Sequence, residues 1–258
     1  VRARATRRGV EDELMQRVAT ADEWWAQDFG CAPDELRPAS ARVQAHTARL
    51  ADATGIWLLV AGGAPLVSMP PDVFASHGER AKAWTPALVA DEASLLQELS
   101  GLPPGRVGAV IGPAFIGYGS SATLTLDDAA RAVDIPASAK SIASLREACG
   151  AAWDHGGSKI DPGVPLFGVF DGSRQLTALS SYQVWNERIA HISIVTHPRH
   201  QGRGLGRAAV ALAAQRALTA GLIPQYRTLQ ANTASMAIAK RLGFVEYGFS
   251  VYVRMQSA

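Results

Sequence analysis

The sequence predicts a mixed α+β fold in two parts, an N-terminal α/β domain over residues 1–120 and a second domain over 121–258 with a central, mostly antiparallel sheet flanked by helices. Three observations predict it. Short β-branched runs bounded by turn residues recur along the chain, at Ile56–Val60, Leu66–Met69, Leu166–Phe170, 175–184 and Ile189–Thr196. Segments with apolar residues near a 3.6 spacing separate them. With 258 residues, 48% of them apolar, the chain can bury one large or two modest cores.

The first eight residues are basic, without interleaved aromatics, and read as a solvated end rather than a nucleic-acid arm. Residues 10–28 read as a helix through Val10, Leu14, Val18 and Ala21, with Trp24, Trp25 and Phe29 packing it to the body. The runs 56–60 and 66–69 around Gly62-Gly63 predict a hairpin. Helices follow over 72–77 and 86–99, then a strand over 107–113 that stops at Pro113 and an aromatic, glycine-rich connector over 114–121.

The second domain opens with a strand end at Leu124-Thr125-Leu126 and a helix whose first turn holds Asp127 and Asp128, broken by Pro136. Residues 139–153 form the next helix, with Ile142, Leu145, Cys149 and Ala152 on one face. Three strands follow, turned at Asp171-Gly172 and at Asn186-Glu187-Arg188. A helix over 208–220 is capped by Gly221, a strand runs over 225–230, a helix over 233–242, and the last strands over 244–255.

Between the strand ending at Thr196 and the helix from Ala208 runs His197-Pro198-Arg199-His200-Gln201-Gly202-Arg203-Gly204-Leu205-Gly206-Arg207. Strand, glycine loop and helix make an anion site. Glycines let backbone approach a ligand, and the first N–H groups of a helix are unpaired and electropositive. Arg199, Arg203 and Arg207 add charge. Arg207-Ala208 after the last glycine excludes the Lys-Ser/Thr of a P-loop. A dinucleotide loop is excluded by the glycine spacing and by a following strand that carries no acid.

Gln201, Gly204 and Gly206 spell Gln-x-x-Gly-x-Gly, followed downstream by Asn232-Thr233-Ala234-Ser235 and Leu242-Gly243-Phe244. These elements, in this order, resemble the GNAT acyltransferase superfamily, over roughly residues 120–258. The resemblance implies a GNAT fold, with a sheet splayed between its fourth and fifth strands, and acetyl-CoA as acyl donor. The backbone of Ile194, Val195 and Thr196 would pair with the pantetheine. The loop Gln201, Gly202, Arg203, Gly204, Leu205, Gly206 and Arg207 would hold the pyrophosphate. Asn232 would bind pantetheine or water, and Ser235 would lie near the thioester. The implied reaction is acetyl transfer to a primary amine of a small molecule or peptide, by direct attack in a ternary complex. Transfer of a longer acyl chain, or coenzyme A binding by a catalytically weak regulatory protein, stay open.

The chain departs from the family pattern where the chemistry is done. The helix position that often holds a tyrosine acid is Ala239. The side chains expected to face the acceptor, Ala190 and Ile192, are apolar, and His191 should point the other way. Glu187 and His191 are the candidate proton acceptors, with Glu246 a further option; His197 and His200 flank the phosphate loop. No metal site is expected, since His46 and His77 have no partners at ligand spacing. Cys31 and Cys149 make no disulfide framework. A formal charge of +2 argues for no nucleic-acid partner. The absence of a signal peptide and of an apolar run near 20 residues points to a cytoplasmic protein without a membrane partner. The acceptor, the oligomeric state and the role of residues 1–120 stay open, including whether that half is a decayed copy of the same fold.

Overall fold

The computed structural model describes residues 18–138, 140–156, 161 and 163–256. The basic N-terminal stretch and the start of the helix expected over 10–28 lie outside them. Contacts divide the chain into two compact units. One comprises Val1–Ile116, Thr228–Asn232 and Glu246–Ala258, the other Gly117–Arg227 and Thr233–Val245.

In the first unit, a helix (α1) is described over residues 18–29. It buries Ala21, Trp25 and Phe29. Trp24 instead lies under the Arg49 guanidinium, 4.6 Å from the ring centroid. Asp22 is held by Arg37 at 2.9 and 3.0 Å and by the Tyr247 hydroxyl at 2.7 Å. Strands β1 (Arg42–Ala45), β2 (Ile56–Val60), β3 (Leu66–Met69), β4 (Val107–Tyr118) and β10 (Val245–Met255) lie in the order β1-β3-β2-β10-β4. β2 and β3 form the expected hairpin, and β1 joins β3 in parallel. The last strand of the chain is antiparallel to β2, from Phe249↔Val60 to Val253↔Ile56, so it completes this sheet rather than standing with the second half of the sequence. Helices α2 (Pro71–Ala81), α3 (Pro86–Ala90) and α4 (Glu92–Glu98) cover an apolar core that includes Val73, Trp84, Val89 and Leu95.

Two expectations fail here for local reasons. The helix read over 86–99 is broken at Asp91, which leaves helical geometry and accepts from Ser94 N at 2.8 Å to cap α4. β4 does not stop at Pro113; it continues to Tyr118, with the Gly112–Pro113 peptide cis.

In the second unit the strand order is β9-β8-β7-β6-β5, with β5 Val133–Ile135, β6 Leu166–Phe170, β7 Leu176–Trp185, β8 Ile189–Thr196 and β9 Ile223–Leu229. β5 to β8 are successively antiparallel, and β8 and β9 are parallel, joined through α7 (Leu205–Thr219). The opening differs from expectation. Asp127–Arg131 is only a 3₁₀ turn, and the strand follows it. The helix read over 139–153 divides at Gly150, φ +52°, into α5 (Lys140–Cys149) and α6 (Ala151–His155). Ile142, Leu145 and Cys149 are buried together as expected, but past the break it is Trp153, not Ala152, that turns inward.

α7 packs on β6, β7 and β8. Ala208, Ala209, Ala211, Ala213, Ala214 and Ala217 are all fully buried in it, and side chains this small let the helix approach the sheet closely. α8 (Thr233–Leu242) ends at Gly243, φ +84°. Among the described residues, no helix is long and apolar enough to cross a membrane.

Candidate functional site

The glycine loop joins β8 to α7. His197 N–H donates to Thr177 O at 2.8 Å, and the His197 ring nitrogen accepts from Arg199 N at 3.2 Å, which sets the bend. Gly202 and Gly204 have φ of +76° and +75°, a region that favours glycine. Gly204 is the N-cap of α7, and the first intrahelical bond runs from Ala208 N–H to Gly204 O at 3.1 Å. The N–H groups of Leu205, Gly206 and Arg207 lie ahead of it, at the positive end of the helix dipole.

Two guanidiniums flank this end. A Cβ placed on Gly204 would lie 3.5 Å from Arg131 Nη1 and 3.7 Å from Arg207 Nη2. Asp128 holds both, at 2.5 Å from Arg207 Nε and 3.5 Å from Arg131 Nη1. One carboxylate between two arginines leaves net positive charge over a turn of N–H groups that have no backbone partner among the described residues. The 3₁₀ turn that carries Asp128 and Arg131 packs against α7.

β8 and β9 then part. Their register runs from Ile189↔Ile223 to Ile192↔Tyr226 and ends there, while β8 continues to Thr196. A fork therefore opens at Ile192 and Tyr226, and along it Ser193–Thr196 keep β7 as their partner on the other side. Tyr226 is buried at the crotch, its ring 5.4 Å from Phe244. Its hydroxyl is 2.7 Å from Ser235 Oγ, and burial pushes the phenol up to about 12.

The two faces of β8 are unequal. A Cβ on Gly206 would meet the side chains of Thr196, Ile194 and, from α8, Ile238, so the even-numbered side chains of β8 face α7. Ala190 and Ile192 share that face and are 0% and 2% exposed. The positions expected to meet the acceptor are thus closed over by α7. Val195 packs with the α5 residues on the opposite face, and alternation puts Ser193 and His191 there too.

His191 is a titratable group beside the fork on that face. Its ring stacks on Trp185, with centroids 4.0 Å apart and planes 14° apart. Nδ1 is 2.9 Å from Gln225 Oε1. Burial, and then the charge of Arg227, push His191 down to about 4, against a smaller upward pull from Gln225, so the ring is neutral near pH 7.

The structure brings Gln201, Gly202, Arg203, Gly204, Leu205, Gly206 and Arg207 into one loop, with Ile194, Val195 and Thr196 leading into it. Ser235 stands in the first turn of α8. Asn232 is exposed, its N–H bonded to Leu229 O at 2.9 Å, in the short segment grouped with the first unit. Glu187 is not brought to the fork. It and Asn186 have φ of +58° and +48° at the tip of the β7–β8 turn, five residues or about 16 Å of strand from Ile192. Ala239 is fully buried. Sequence reasoning missed Asp128, Arg131, Tyr118, Gln225 and Tyr226. None of these carries a local signal: β9 reads Ile-Pro-Gln-Tyr-Arg-Thr-Leu, so Gln225 is one polar residue among several in its strand.

Residues 167–251 match the family model described as GNAT acetyltransferase. No curated protein matches. Among solved structures, an acetyltransferase of the GNAT family from Colwellia psychrerythraea is 13% identical over 74% of this chain and 76% of its own, with a TM-score of 0.49. A GCN5-related N-acetyltransferase-like protein from Streptococcus suis is 16% identical over 64% and 67%, at 0.44. A GCN5-related N-acetyltransferase from Kribbella flavida is 16% identical over 72% of each chain, at 0.41. The matched segment holds the fork and the glycine loop, and the C-terminal half of the chain is therefore similar to the GNAT acyltransferase superfamily, a similarity that supports acyl transfer as its activity.

Proposed function

We propose that this chain is an N-acetyltransferase that moves an acetyl group from acetyl-CoA to a primary amine of a small molecule or peptide. The observation that carries the reading is the fork between β8 and β9 leading into a helix N-terminus flanked by Arg131 and Arg207. The loop suits a pyrophosphate: N–H groups with no backbone partner among the described residues, two positive-φ glycines, and two guanidiniums steadied by one carboxylate. The edge of Ile194, Val195 and Thr196, which has no partner on β9, suits an extended amide-bearing arm. Acetyl-CoA supplies a thioester carbonyl as electrophile.

In this reading the amine nitrogen forms a bond to that carbonyl, the carbon–sulfur bond breaks, and the proton leaving nitrogen ends on sulfur. Neutral His191 accepts the amine proton. Its low proton affinity means that it orients and relays the proton rather than storing it. Ser235 Oγ, backed by Tyr226 Oη, donates a hydrogen bond toward the leaving sulfur, a role that Ala239, at the position often held by a tyrosine, cannot fill. Glu187 has no part in the step.

Titration calorimetry with acetyl-CoA, beside a Gly204→Glu variant, tests the reading. The expected result is micromolar binding to the parent chain and none to the variant, whose carboxylate collides with the pyrophosphate position. An amine screen read by thiol release and acceptor mass follows. Absence of binding to the parent refutes the proposal and returns the loop to a helix cap.

A further inference from the structure

We infer that Gln225 and Tyr118 are positioning residues that hold His191 in a single tautomer, Nδ1 protonated and Nε2 bare, so that Nε2 is always available to the incoming amine. The inference rests on the acyl-transfer reading above and deepens it.

The argument starts from Gln225, which is 0% exposed on β9 and directly opposite His191 in the parallel register. A buried primary amide must satisfy both its ends. Its Nε2 donates to the Tyr118 hydroxyl at 2.7 Å. That turns the carbonyl Oε1 to His191 Nδ1 at 2.9 Å. A carbonyl oxygen only accepts, so the proton is on Nδ1 and the lone pair on Nε2. Among the described residues no hydrogen bond engages Nε2. The stack on Trp185 fixes the ring plane, and the amide fixes the proton.

In this orientation the Tyr118 oxygen is the acceptor that the amide nitrogen uses. Without that oxygen, Gln225 Nε2 has lost its acceptor and gains by turning toward Nδ1. The amide then donates to Nδ1, which forces the proton onto Nε2 and removes the acceptor. The site would keep its shape and lose its function. In free solution the two neutral tautomers exchange, whereas here the packing selects one. A purely structural role for the trio, tying β4's last residue to β9 and β8, would be served equally by either tautomer.

The test uses the full chain with nitrogen-15-labelled histidine. Two-bond proton–nitrogen correlation spectra near pH 7 read the protonated nitrogen of His191, assigned by its loss in His191→Asn. The expected result is an Nδ1–H tautomer in the wild type and in Gln225→Glu, whose carboxylate still accepts, and an Nε2–H or mixed form in Tyr118→Phe. Where an amine acceptor is turned over, Tyr118→Phe should lower kcat about 10²-fold, the lower end for a general base, with KM for the amine within about twofold, and Gln225→Glu should keep most of the rate. An Nε2–H His191 in a wild-type chain that binds acetyl-CoA overturns the positioning role alone. So does an unchanged kcat in a Tyr118→Phe chain whose tautomer has switched. A wild-type chain that fails to bind acetyl-CoA overturns the acyl-transfer reading, and with it the use made of Nε2.

Discussion

His191 should make this protein acid-sensitive in a particular window. Its proton affinity is lowered from the ordinary 6.5 to about 4 in the folded chain, by burial first and Arg227 second. Between those values the unfolded chain binds a proton that the folded chain does not, so the stability this group contributes is present above pH 6.5 and is lost as pH falls toward 4. From the two proton affinities, acidification from pH 7 to pH 5 costs about 2 kcal/mol through this residue alone, and to pH 4 about 3 kcal/mol. The perturbation is His191→Asn, which removes the titrating group. The assay is urea unfolding at pH 7, 6, 5 and 4 for both chains, read as the difference between their pH slopes. Carboxylates and the other histidines titrate alike in both and cancel. The variant should start less stable, because it loses the stack on Trp185 and the bond to Gln225, and its deficit should shrink by about 2 kcal/mol by pH 5. A deficit that is constant across the range refutes the reasoning, and with it the claim that the ring is held neutral.

Other outcomes follow from single contacts. Arg131→Ala should weaken acetyl-CoA binding about threefold to tenfold, less in high salt, because a half-exposed guanidinium beside Gly204 is lost; calorimetry at two ionic strengths checks it. Ala239→Tyr, which rebuilds the family's usual residue, should destabilise the fold by about 3 kcal/mol or more without raising turnover, since that position is 0% exposed. Gly243→Ala should cost about 3 kcal/mol in denaturant unfolding: φ there is +84°, and a Cβ would run into the Thr123 carbonyl oxygen.

The sequence displayed the elements with a clean period and a chemical signature. The strands at 166–170, 176–185 and 189–196, the glycine loop and α8 were all legible, because alternation and turn residues there agree with tertiary packing. The face of β8 was not. Whether His191 or Ile192 meets the open side depends on where α7 crosses, and no periodicity records that. Asp91 hid its break inside an otherwise helical run, since a capping aspartate differs from a surface one only in backbone angle. Tyr118 and Gln225 lie 107 positions apart, so their meeting has no local trace. Arg131 lies in the stretch expected as a helix after Leu126, and its place beside Gly204 follows only from the 3₁₀ turn found there.

The pairing of β10 with β2 has a consequence for how the chain is made. Val60 and Phe249 stand opposite one another, about 190 residues apart in sequence. A ribosome releases β1 to β4 early, and their sheet then has a vacancy between β2 and β4 until the last strand emerges. The residues from Gly117 to Arg227 are synthesised inside that delay, and their own strands pair with near neighbours in sequence. The segment born second should therefore finish folding first, and the segment born first should stay open to proteases and chaperones until β10 has been synthesised.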